Sequence, residues 1–560
     1  MAVTNSKIRI FALGGLDESG KNCIVIEIDG DIYVIGPGIA EPDKTMPGVD
    51  YLIPNYDYLK ENKDRVKGYF LLHGHDDEIG ALAYIYEDVP APVFGSAVTL
   101  AMLKIFTSHV KKDPSMYKTV TVDPTSTFLV GGRKVHFFHT AHNIADSSGM
   151  AIETPYGNIV YGSDYVVENA ADKDYLFDIT AISQIAEKPT LALLAESLYA
   201  TKPGYTAPKY KLTDHVLEAF KNAEGRIFVS LFSSNLYNFD EIIRLSVLFK
   251  RKIVCYDSGA SDILKAMQPC GSLVIPRENF ASTDDILRHK DQDLVILMSG
   301  FGAKLFRKIA MLASGENEDK RIKIKPTDTF IIASPSDDNT ELEFVDAADE
   351  LFRTGCKVVM VPKKSFMKMQ ASEEDLKMMA SLFKPKYYIP VKGFYKDLLA
   401  NAMLALSMGL GLTHQNVFVL ENGMSVLIDE KGARVFDEKI PHGDIMIDGS
   451  GVGDISTSVL SDRTKLAEGA VIVAATISRK KMGIVAGPEV QTRGLLVGKE
   501  ADALTRDLSK ILLSTVEELV TSHDFNVAEL KQNVYEKCLR AIRRSTGKEP
   551  MVLPLLVEVE

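Results

Sequence analysis

The sequence is poor in cysteine and has no excess of positive charge. Its five cysteines are scattered, odd in number and without a Cys-x-x-Cys pair: Cys23, Cys255, Cys270, Cys356 and Cys538. This usage indicates reduced thiols rather than a disulfide framework. The formal net charge is -12. Any surface for nucleic acid must therefore be a local groove rather than a property of the whole chain.

Long apolar runs are also absent. No run approaches the length of about 20 residues that a membrane span needs, and there is no low-complexity segment or internal repeat. The first residues, Met1 to Lys7, are polar, and the apolar run that follows is broken by Gly14-Gly15. We therefore expect no signal peptide and no membrane association, and we predict a cytoplasmic protein.

The length and the hydrophobic pattern predict several α/β domains. At 560 residues, with 46% hydrophobic and 25% charged residues, the chain has room for about three or four domains. The first 200 residues are rich in short strands, with helices such as Ile79–Glu87 between them, and from about residue 209 strands alternate with helices. That alternation is typical of a parallel α/β domain.

A glycine-rich linker near Gly449 precedes a last region, which ends in two amphipathic helices. The first of them, predicted over Lys499–Thr521, has an apolar stripe at Leu504, Leu508, Leu512 and Val516. A stripe with this spacing is more typical of an internal core face than of an interface.

The most informative motif is Phe70-Leu-Leu-His-Gly-His-Asp-Asp-Glu78. The apolar run at the start of this motif predicts a buried strand. His73, His75 and Asp77 follow directly after it. Alternate residues at the end of a strand point the same way, so two imidazoles and a carboxylate can converge on one point. This donor set suits a divalent metal such as zinc or manganese.

Two further ligand candidates follow other predicted strands. His142 ends Val135-His-Phe-Phe-His-Thr-Ala-His142, and Asp164 ends Ile159-Val-Tyr-Gly-Ser-Asp164. Each is weak evidence alone, because a single His or Asp after a strand is more often a capping or hydrogen-bonded residue. We interpret His136 and His139 as structural residues of this kind, and not as metal ligands. The ordered set His73, His75, Asp77, His142 and Asp164 predicts a metal site.

With these motifs the chain resembles the ribonuclease J family, the β-CASP branch of the metallo-β-lactamase fold. The resemblance spans essentially the whole chain. The motifs that carry it besides the metal motif are Gly14-Gly-Leu-Asp-Glu-Ser-Gly-Lys-Asn22, Gly48-Val-Asp-Tyr-Leu-Ile-Pro54, Lys202-Pro-Gly-Tyr-Thr206, Ile389-Pro-Val-Lys-Gly393, Gly451-Val-Gly-Asp454 and Ser545-Thr-Gly-Lys-Glu-Pro-Met-Val-Leu-Pro554.

The resemblance implies an αββα metallo-β-lactamase sandwich that is interrupted by an inserted α/β domain. The expected order is sandwich (1–208), β-CASP domain (209–350), sandwich (351–448), linker (449–464) and a small α+β domain (465–560) that supports dimerisation. Family members act in RNA processing and decay, including ribosomal RNA processing. They trim RNA in the 5′ to 3′ direction from a 5′ monophosphate, and they also cut internally, with two divalent metals.

Carried over residue by residue, the resemblance assigns His73, His75, His142 and Asp164 to the first metal. Asp77 and Asp164 match carboxylates of the second metal, whose other ligands are absent. Glu78 and Lys392 each stand where the family has a ligand His. Four further departures involve other family positions: Gly36 replaces an Asp, Gln370 and Tyr237 each replace a His, and Ser299-Gly-Phe-Gly-Ala-Lys-Leu305 is all that is left of a phosphate-handling loop.

These departures have a common physical sense. A two-metal phosphodiesterase needs both ions to activate water and to stabilise the attacking and leaving oxygens. The carboxylates of Asp77, Glu78 and Asp164 would repel one another without a second cation. The Lys392 ammonium can supply that charge, and a protonated lysine cannot bind a metal. We therefore expect at most one zinc or manganese per chain.

Three functions remain open. The first is a ribonuclease J paralogue with weak or lost catalysis, which binds RNA and assembles as a homodimer or with an active paralogue. The second is a functional one-metal ribonuclease, with Asp77 as the base and His73 and His75 as essential ligands. The third is a hydrolase of a small ester or thioester, against which the inserted and C-terminal domains argue.

Candidate RNA contacts come from the same resemblance. They are Ser233, Ser234 and Asn235, with Ser365 and Ser372 near the family's pocket for the 5′ phosphate. Arg543, Arg544 and Lys548 could attract phosphate, but they could equally form a solvated helix end. The lysines between Lys202 and Lys211 carry the same two interpretations.

Overall fold

The computed structural model describes residues 6–43, 45–168, 173–337, 339–436, 438–449, 451–452, 457–478, 480–481, 483–520 and 526–559. The strands are β1 (Ile8–Gly14), β2 (Cys23–Ile28), β3 (Asp31–Ile35), β4 (Tyr51–Pro54), β5 (Val66–Leu71), β6 (Val93–Gly95), β7 (Thr119–Thr121), β8 (Thr127–Val130), β9 (Arg133–His139), β10 (Ser148–Thr154), β11 (Gly157–Tyr161), β12 (Thr190–Glu196), β13 (Ile227–Phe232), β14 (Lys252–Cys255), β15 (Leu294–Gly300), β16 (Thr329–Ile332), β17 (Lys357–Met360), β18 (Tyr387–Val391), β19 (Ser425–Asp429), β20 (Gly432–Phe436), β21 (Asp444–Asp448), β22 (Gly451–Val452), β23 (Ala470–Ser478), β24 (Gly483–Arg493) and β25 (Met551–Val559).

The α-helices are α1 (Asp57–Glu61), α2 (Asp76–Ile79), α3 (Leu82–Ile85), α4 (Ala97–His109), α5 (Ile179–Ala186), α6 (Thr213–Asn222), α7 (Leu236–Leu248), α8 (Ser258–Met267), α9 (Gly302–Ala313), α10 (Glu341–Arg353), α11 (Glu373–Phe383), α12 (Tyr395–Ser407), α13 (Thr457–Ala467), α14 (Lys499–Val520) and α15 (Val527–Thr546). Short 3-10 helices occur at Lys63–Arg65, Pro114–Met116, Lys173–Tyr175, Gln268–Cys270, Arg277–Asn279, Thr283–Arg288 and Asp291–Asp293. None of the helices in the described ranges is both long and apolar enough to cross a membrane.

The chain forms two compact units, of which the larger consists of Met1–Ala40 and Leu52–Ile445. It contains an eight-stranded sheet in the order β20-β19-β1-β2-β3-β5-β6-β7 and a six-stranded sheet in the order β18-β12-β11-β10-β9-β8. Alternate residues of β1 and β9, such as Ile10 and Phe137, belong to one apolar core that both sheets share. The strands thus bury one face between the sheets, as their apolar periodicity predicts.

Helices cover the outer faces of these two sheets. Phe138 and Val160, on the other face of the six-stranded sheet, pack with Ile182 of α5 and Met379 of α11. Helix α4 lies against β6 and β7 of the eight-stranded sheet. This arrangement confirms the predicted αββα sandwich, with its strand ends free to carry functional side chains.

A separate five-stranded parallel sheet, in the order β14-β15-β13-β16-β17, forms the predicted inserted α/β domain. Phe228 and Phe330 stack in its core at 5.7 Å between ring centroids, and α9 and α10 pack there through Leu305 and Leu351. Strand β17 pairs with β16, so this sheet continues past residue 350, the predicted end of the inserted domain. The other domain limits remain a prediction.

One helix of the sandwich differs from the prediction. Instead of a single helix over Ile79–Glu87, the chain forms two short helices, α2 and α3. The Ala81 amide donates to the Pro37 carbonyl, at 3.1 Å, and not to the Asp77 carbonyl, which accepts from Asn22. The helical hydrogen-bond pattern is therefore interrupted just behind the metal motif.

The smaller unit consists of Glu41–Tyr51 and Met446–Glu560. Its sheet, in the order β24-β23-β25, packs against α14 and α15. The stripe Leu504, Leu508, Leu512 and Val516 lies in that core, as predicted. Of the predicted linker 449–464, residues 450 and 453–456 lie outside the described residues, and its last part forms the start of α13 rather than coil.

A buried ion pair joins two strands of the inserted domain at their starts. Arg226 immediately precedes β13 and Asp328 immediately precedes β16. The guanidinium donates to both carboxylate oxygens, at 3.0 and 2.6 Å, and the two side chains are 4% and 0% exposed. Such a bidentate pair holds the two strands in register.

We expect Arg226→Ala to lower the free energy of unfolding of this domain by about 3–5 kcal/mol, because it leaves the Asp328 carboxylate buried without its partner. Urea denaturation of the full chain measures the change. The control is Arg353→Ala, which removes an exposed pair with Glu350 on α10 and should cost at most about 1 kcal/mol. Equal losses in the two variants would contradict a structural role for the buried pair.

Candidate metal centre

Four side chains meet where strands of the sandwich end. His73 and His75 follow β5, His142 lies in the turn between β9 and β10, and Asp164 follows β11. One ligand atom from each of the four lies within 4.8 Å of the ligand atoms of the other three. The histidine rings stand edge to face, with 4.8 Å between each pair of centroids. The structure thus brings together four of the five predicted ligands.

Hydrogen bonds on the outer side of the cluster orient the imidazoles inward. His142 Nδ1–H donates to the Met369 carbonyl at 2.6 Å, and His75 Nε2–H donates to the Ser234 carbonyl at 3.2 Å. The remaining nitrogens, His142 Nε2 and His75 Nδ1, are 3.2 Å apart. Since neither carbonyl can donate, these inner nitrogens carry lone pairs.

His73 completes the set. Its Nδ1 lies 3.3 Å from Ser163 Oγ, and its buried Nε2 has no hydrogen-bond partner among the described residues. A buried polar atom without a partner is unfavourable. Three imidazole lone pairs and the Asp164 carboxylate therefore fit one divalent metal, which would act there as a Lewis acid.

The protonation states suit metal binding as well. Burial lowers the pKa of His73 well below its ordinary value and lowers that of His75. Burial, followed by the effect of His75, lowers the pKa of His142 to about 3. All three imidazoles are therefore neutral near pH 7, which is the form that binds a metal.

The adjoining half of the centre contains an ammonium group. Lys392 follows β18, and its Nζ donates to Asp164 Oδ1 at 2.6 Å and to Glu78 Oε1 at 2.8 Å, with Asp77 Oδ2 at 3.8 Å. The side chain is 3% exposed. Its backbone has φ = 59°, a left-handed conformation that is uncommon for a residue with a side chain. The predicted pairing of this lysine with the three carboxylates is thus present.

The pKa shifts follow from this packing. Burial alone would lower the pKa of Lys392, but Asp164 and Glu78 raise it well above its ordinary value. Burial alone would raise the pKa of Asp164, but Lys392 and His73 lower it. For Glu78 burial prevails over Lys392 and raises the pKa to about 8. Asp164 is therefore the carboxylate that balances the ammonium, and Glu78 keeps a proton near pH 7.

Gly36 and Glu78 fit each other sterically. A Cβ at position 36 would overlap Glu78 Oε2, and Gly36 has φ = 59°. An Asp in this position could not coexist with the present Glu78 side chain. The departures from the family pattern at Gly36 and Glu78 are therefore parts of one packing change. Together they place the Glu78 carboxyl beside Lys392.

Asp77 and Gln370 lie at the edge of the cluster. Asp77 is not one of the four grouped ligands; its carboxylate accepts from Asn22 Nδ2 at 3.0 Å and is one third exposed. Gln370 Nε2 donates to Asp164 Oδ2 at 3.2 Å. An amide in this position can hold a carboxylate but cannot act as a general acid.

The predicted RNA contacts also make contacts within the protein. The Ser234 carbonyl orients His75, and Asn235 caps α7 by accepting from the Asn238 amide. Ser233 is 6% exposed, and its amide donates to Gly300. Ser372 is fully buried and contacts Thr206 Oγ1 at 2.7 Å. Of the five, Ser365 is the one whose side chain is exposed.

The remaining predicted residues are not among the four grouped ligands. Tyr237 packs edge to face against Tyr175 and Tyr210. His136 bonds to Glu153 at 2.8 Å, in keeping with a structural role. In the smaller unit, Arg543 pairs with Glu549 at 3.0 Å, and Lys548 Nζ donates to the Leu495 carbonyl at 3.3 Å; Arg544 is exposed.

Sequence reasoning missed Glu196. It ends β12, is fully buried, and its Oε1 accepts from the amides of Tyr165 and Ala371 at 3.1 and 3.0 Å. It thus supports the segments that carry Asp164 and Gln370. A carboxylate directly after the apolar run Leu191–Ala195 was the available signal. The carbonyls of Met369 and Ser234 offered none, because every residue has one.

Comparison with known proteins agrees with this arrangement. The profile of the "Ribonuclease J, beta-CASP domain" matches residues 224–341, and that of the "Ribonuclease J C-terminal domain" matches residues 458–559. The protein named Ribonuclease J 2 of Staphylococcus epidermidis is 31% identical over 558 residues, with 99% of each chain covered, and its namesake in Staphylococcus aureus matches to the same extent.

A solved structure, described as a protein of unknown function from Enterococcus faecalis V583, superposes with a TM-score of 0.51 at 14% identity. It covers 77% of this chain and 100% of its own, and at that identity the likeness supports the fold alone. The relatives named Ribonuclease J 2 match along 99% of the chain at 31% identity. The chain therefore belongs to the ribonuclease J family.

Proposed function

We propose that this chain binds RNA, holds at most one divalent metal, and has weak or no RNA cleavage of its own. The observation that carries the proposal is the position of Lys392 Nζ, within 2.8 Å of both Asp164 and Glu78. It occupies the space beside the histidine cluster that a second divalent ion would need. A protonated amine donates to carboxylates but offers no lone pair to a metal.

The chemistry of phosphodiester cleavage explains the expected loss of activity. Two-metal enzymes stabilise both the attacking and the leaving oxygen of the reaction. Here Asp164 is neutralised by Lys392, and Glu78 has a pKa raised to about 8 by burial. Apart from the Asp77 carboxylate, the second half of the site thus offers little negative charge to attract another cation. Gln370 adds no proton donor for the leaving group.

The expected substrate follows from family membership. We infer that the chain retains a preference for RNA with a 5′ monophosphate and works in the cytoplasm. There it would assemble with an active ribonuclease J paralogue and tune that enzyme's activity or stability. On this account the centre is a binding and structural element, and catalysis is supplied by the partner.

A one-metal ribonuclease is the second candidate. The intact group of His73, His75, His142 and Asp164, with neutral inward-facing imidazoles, favours it. In that case a metal held by His73, His75, His142 and Asp164 would supply Lewis acidity, and Asp77, which is partly exposed beside the cluster, would take the proton of the attacking water. Both candidates predict no more than one metal per chain, but they differ in turnover.

Metal content and nuclease activity, measured on the same sample, test the proposal. We expect about one zinc or manganese per chain purified without chelator, and about none in the double variant His73→Ala with His75→Ala, because two of the four ligands are lost. Elemental analysis gives the stoichiometry. Cleavage of 5′-monophosphorylated RNA by the wild type should be weak and close to that of the double variant.

Two metals per chain, or turnover comparable to that of an active family member, would contradict the proposal. Robust cleavage that is lost in the double variant, with one metal in the wild type, would instead establish the second candidate. An active ribonuclease J assayed in the same buffer is the positive control. It shows that the metal and the substrate are competent.

A second part of the proposal concerns assembly through the smaller unit. Helices α14 and α15 cover one face of its sheet. On the other face β25 presents Leu553, Leu555, Val557 and Val559, which are 37–58% exposed. Leu553 and Leu555 stand beside Ile472 and Ala474 of β23 in the parallel register. An exposed apolar face of this kind on a soluble domain is typical of an interface.

We expect the wild type to sediment as a dimer, and Leu555→Glu with Val557→Glu to shift it to the monomer, because two charges would be buried at the contact. Analytical ultracentrifugation measures the change. Leu287→Glu, at a site that is 73% exposed on the inserted domain, is the matched control and should leave the dimer intact. A wild type that is monomeric both alone and when mixed with an active paralogue would refute the assembly.

A further inference from the structure

Two loops next to the metal centre carry an unusual concentration of positive charge. Residues 199–211 contain Lys202, Lys209 and Lys211, and residues 361–370 contain Lys363, Lys364 and Lys368, with no Asp or Glu in either segment. The chain as a whole has a net charge of -12. The cationic segment is therefore a local feature that runs against the overall charge.

The two loops form one hydrogen-bonded layer. The Met367 amide donates to the Lys209 carbonyl at 3.1 Å, and Thr206 Oγ1 donates to the Gln370 carbonyl at 2.6 Å. Tyr199 pairs with Ser372 through a parallel bridge. Lysines that are distant in sequence are thus held on adjacent backbone segments.

This layer is attached directly to the metal centre. The carbonyl of Met369, the residue after Lys368, accepts the His142 Nδ1 proton at 2.6 Å, and Gln370 donates to Asp164. A polyanion that lay along the lysine-bearing loops would therefore pass next to the histidine cluster.

Four of the lysines are exposed and have no ion pair with the residues that the structure describes: Lys202, Lys209, Lys364 and Lys368. We call these four the lysine track. Lys211 is left out because it pairs with Glu168 at 3.7 Å, and Lys363 because it also has a partner.

Tyr199 contacts one member of the track. The Lys202 ammonium lies 3.7 Å from the centroid of the Tyr199 ring. Burial, and then the charge of Lys368, lower the pKa of Lys202. The positive charge of Lys368 thus disfavours the Lys202 ammonium, and a bound anion would relieve that cost.

We propose that the lysine track binds the phosphate backbone of single-stranded RNA and leads the strand past the metal centre. This inference rests on the proposed RNA-binding function and identifies the residues that would perform it. Lysines act as point charges toward phosphates, so the contact is independent of base sequence. Strand binding thereby depends on charge and not on an intact second metal site.

Fluorescence anisotropy with a short, unstructured, 5′-monophosphorylated RNA across a series of KCl concentrations tests the proposal. The main variant is Lys202→Gln with Lys368→Gln. Each phosphate contact to a single strand contributes about 0.7 to the slope of log K against log salt. We expect the slope to fall by about 1.4 and the affinity at low salt to drop by about tenfold or more.

Three further variants test whether the effect is specific to the charge of the track. Lys209→Gln with Lys364→Gln removes the other half of the track without disturbing the Tyr199 contact, and should lower the slope by a similar amount. Lys265→Gln with Lys510→Gln removes the same formal charge at sites that are 76% and 77% exposed outside these loops, and should bind like the wild type. Lys202→Arg with Lys368→Arg should retain binding, since the charge is kept.

The outcomes separate the two proposals. RNA binding by the wild type, with an unchanged slope in both track variants, would overturn the track and leave the proposed function standing. A slope reduced as much in the Lys265 and Lys510 control would also overturn it, because the effect would then be one of net charge. No RNA binding by the wild type at low salt would reject the proposed function and the track together.

Discussion

The ion pair between Lys392 and Asp164 is the interaction on which the rest of the centre depends. Three carboxyl groups converge beside the histidine cluster, and two of them, on Glu78 and Asp164, are 1% exposed. Removal of the ionised Asp164 carboxylate from water is costly without a cation at close range. A mobile divalent ion or a tethered ammonium can meet this need, and this chain has the ammonium. An ammonium in place of a divalent ion changes the chemistry, because a lysine neutralises carboxylates without activating water or stabilising a leaving oxygen.

The centre therefore has two halves with different chemistry. In one half, His75 and His142 keep outer hydrogen bonds to backbone carbonyls, which are the contacts that direct a metal-binding imidazole. In the other half, Glu78, Lys392 and Gly36 depend on one another: Gly36 leaves the space that the Glu78 carboxyl fills, and that carboxyl accepts from Lys392. An Asp at position 36 would overlap the Glu78 carboxyl, and loss of Lys392 would leave the Asp164 carboxylate buried without its cation. RNA recognition can be separate from this chemistry, because exposed lysines on neighbouring loops need no metal to attract phosphate.

Much of this arrangement could be predicted from the sequence. Strand periodicity placed His73, His75 and Asp164 at strand ends. The repulsion expected among the neighbouring carboxylates predicted their pairing with Lys392. Other features depended on atomic distances. The overlap between position 36 and Glu78 is visible only when both backbones are in place. The carbonyl partners of the histidines leave no trace in sequence, and the break between α2 and α3 arises because Asn22 takes the Asp77 carbonyl. Ser372 and Asn235 have side chains suited to phosphate binding, yet Ser372 is fully buried and Asn235 caps α7.

The most direct test of this account is a crystal structure of the protein grown with manganese, with anomalous diffraction data collected at the manganese edge. The account predicts one anomalous peak, among His73, His75, His142 and Asp164, with Lys392 Nζ still in contact with Glu78. Two fully occupied peaks in the centre, with the Lys392 side chain displaced from the carboxylates, would contradict it.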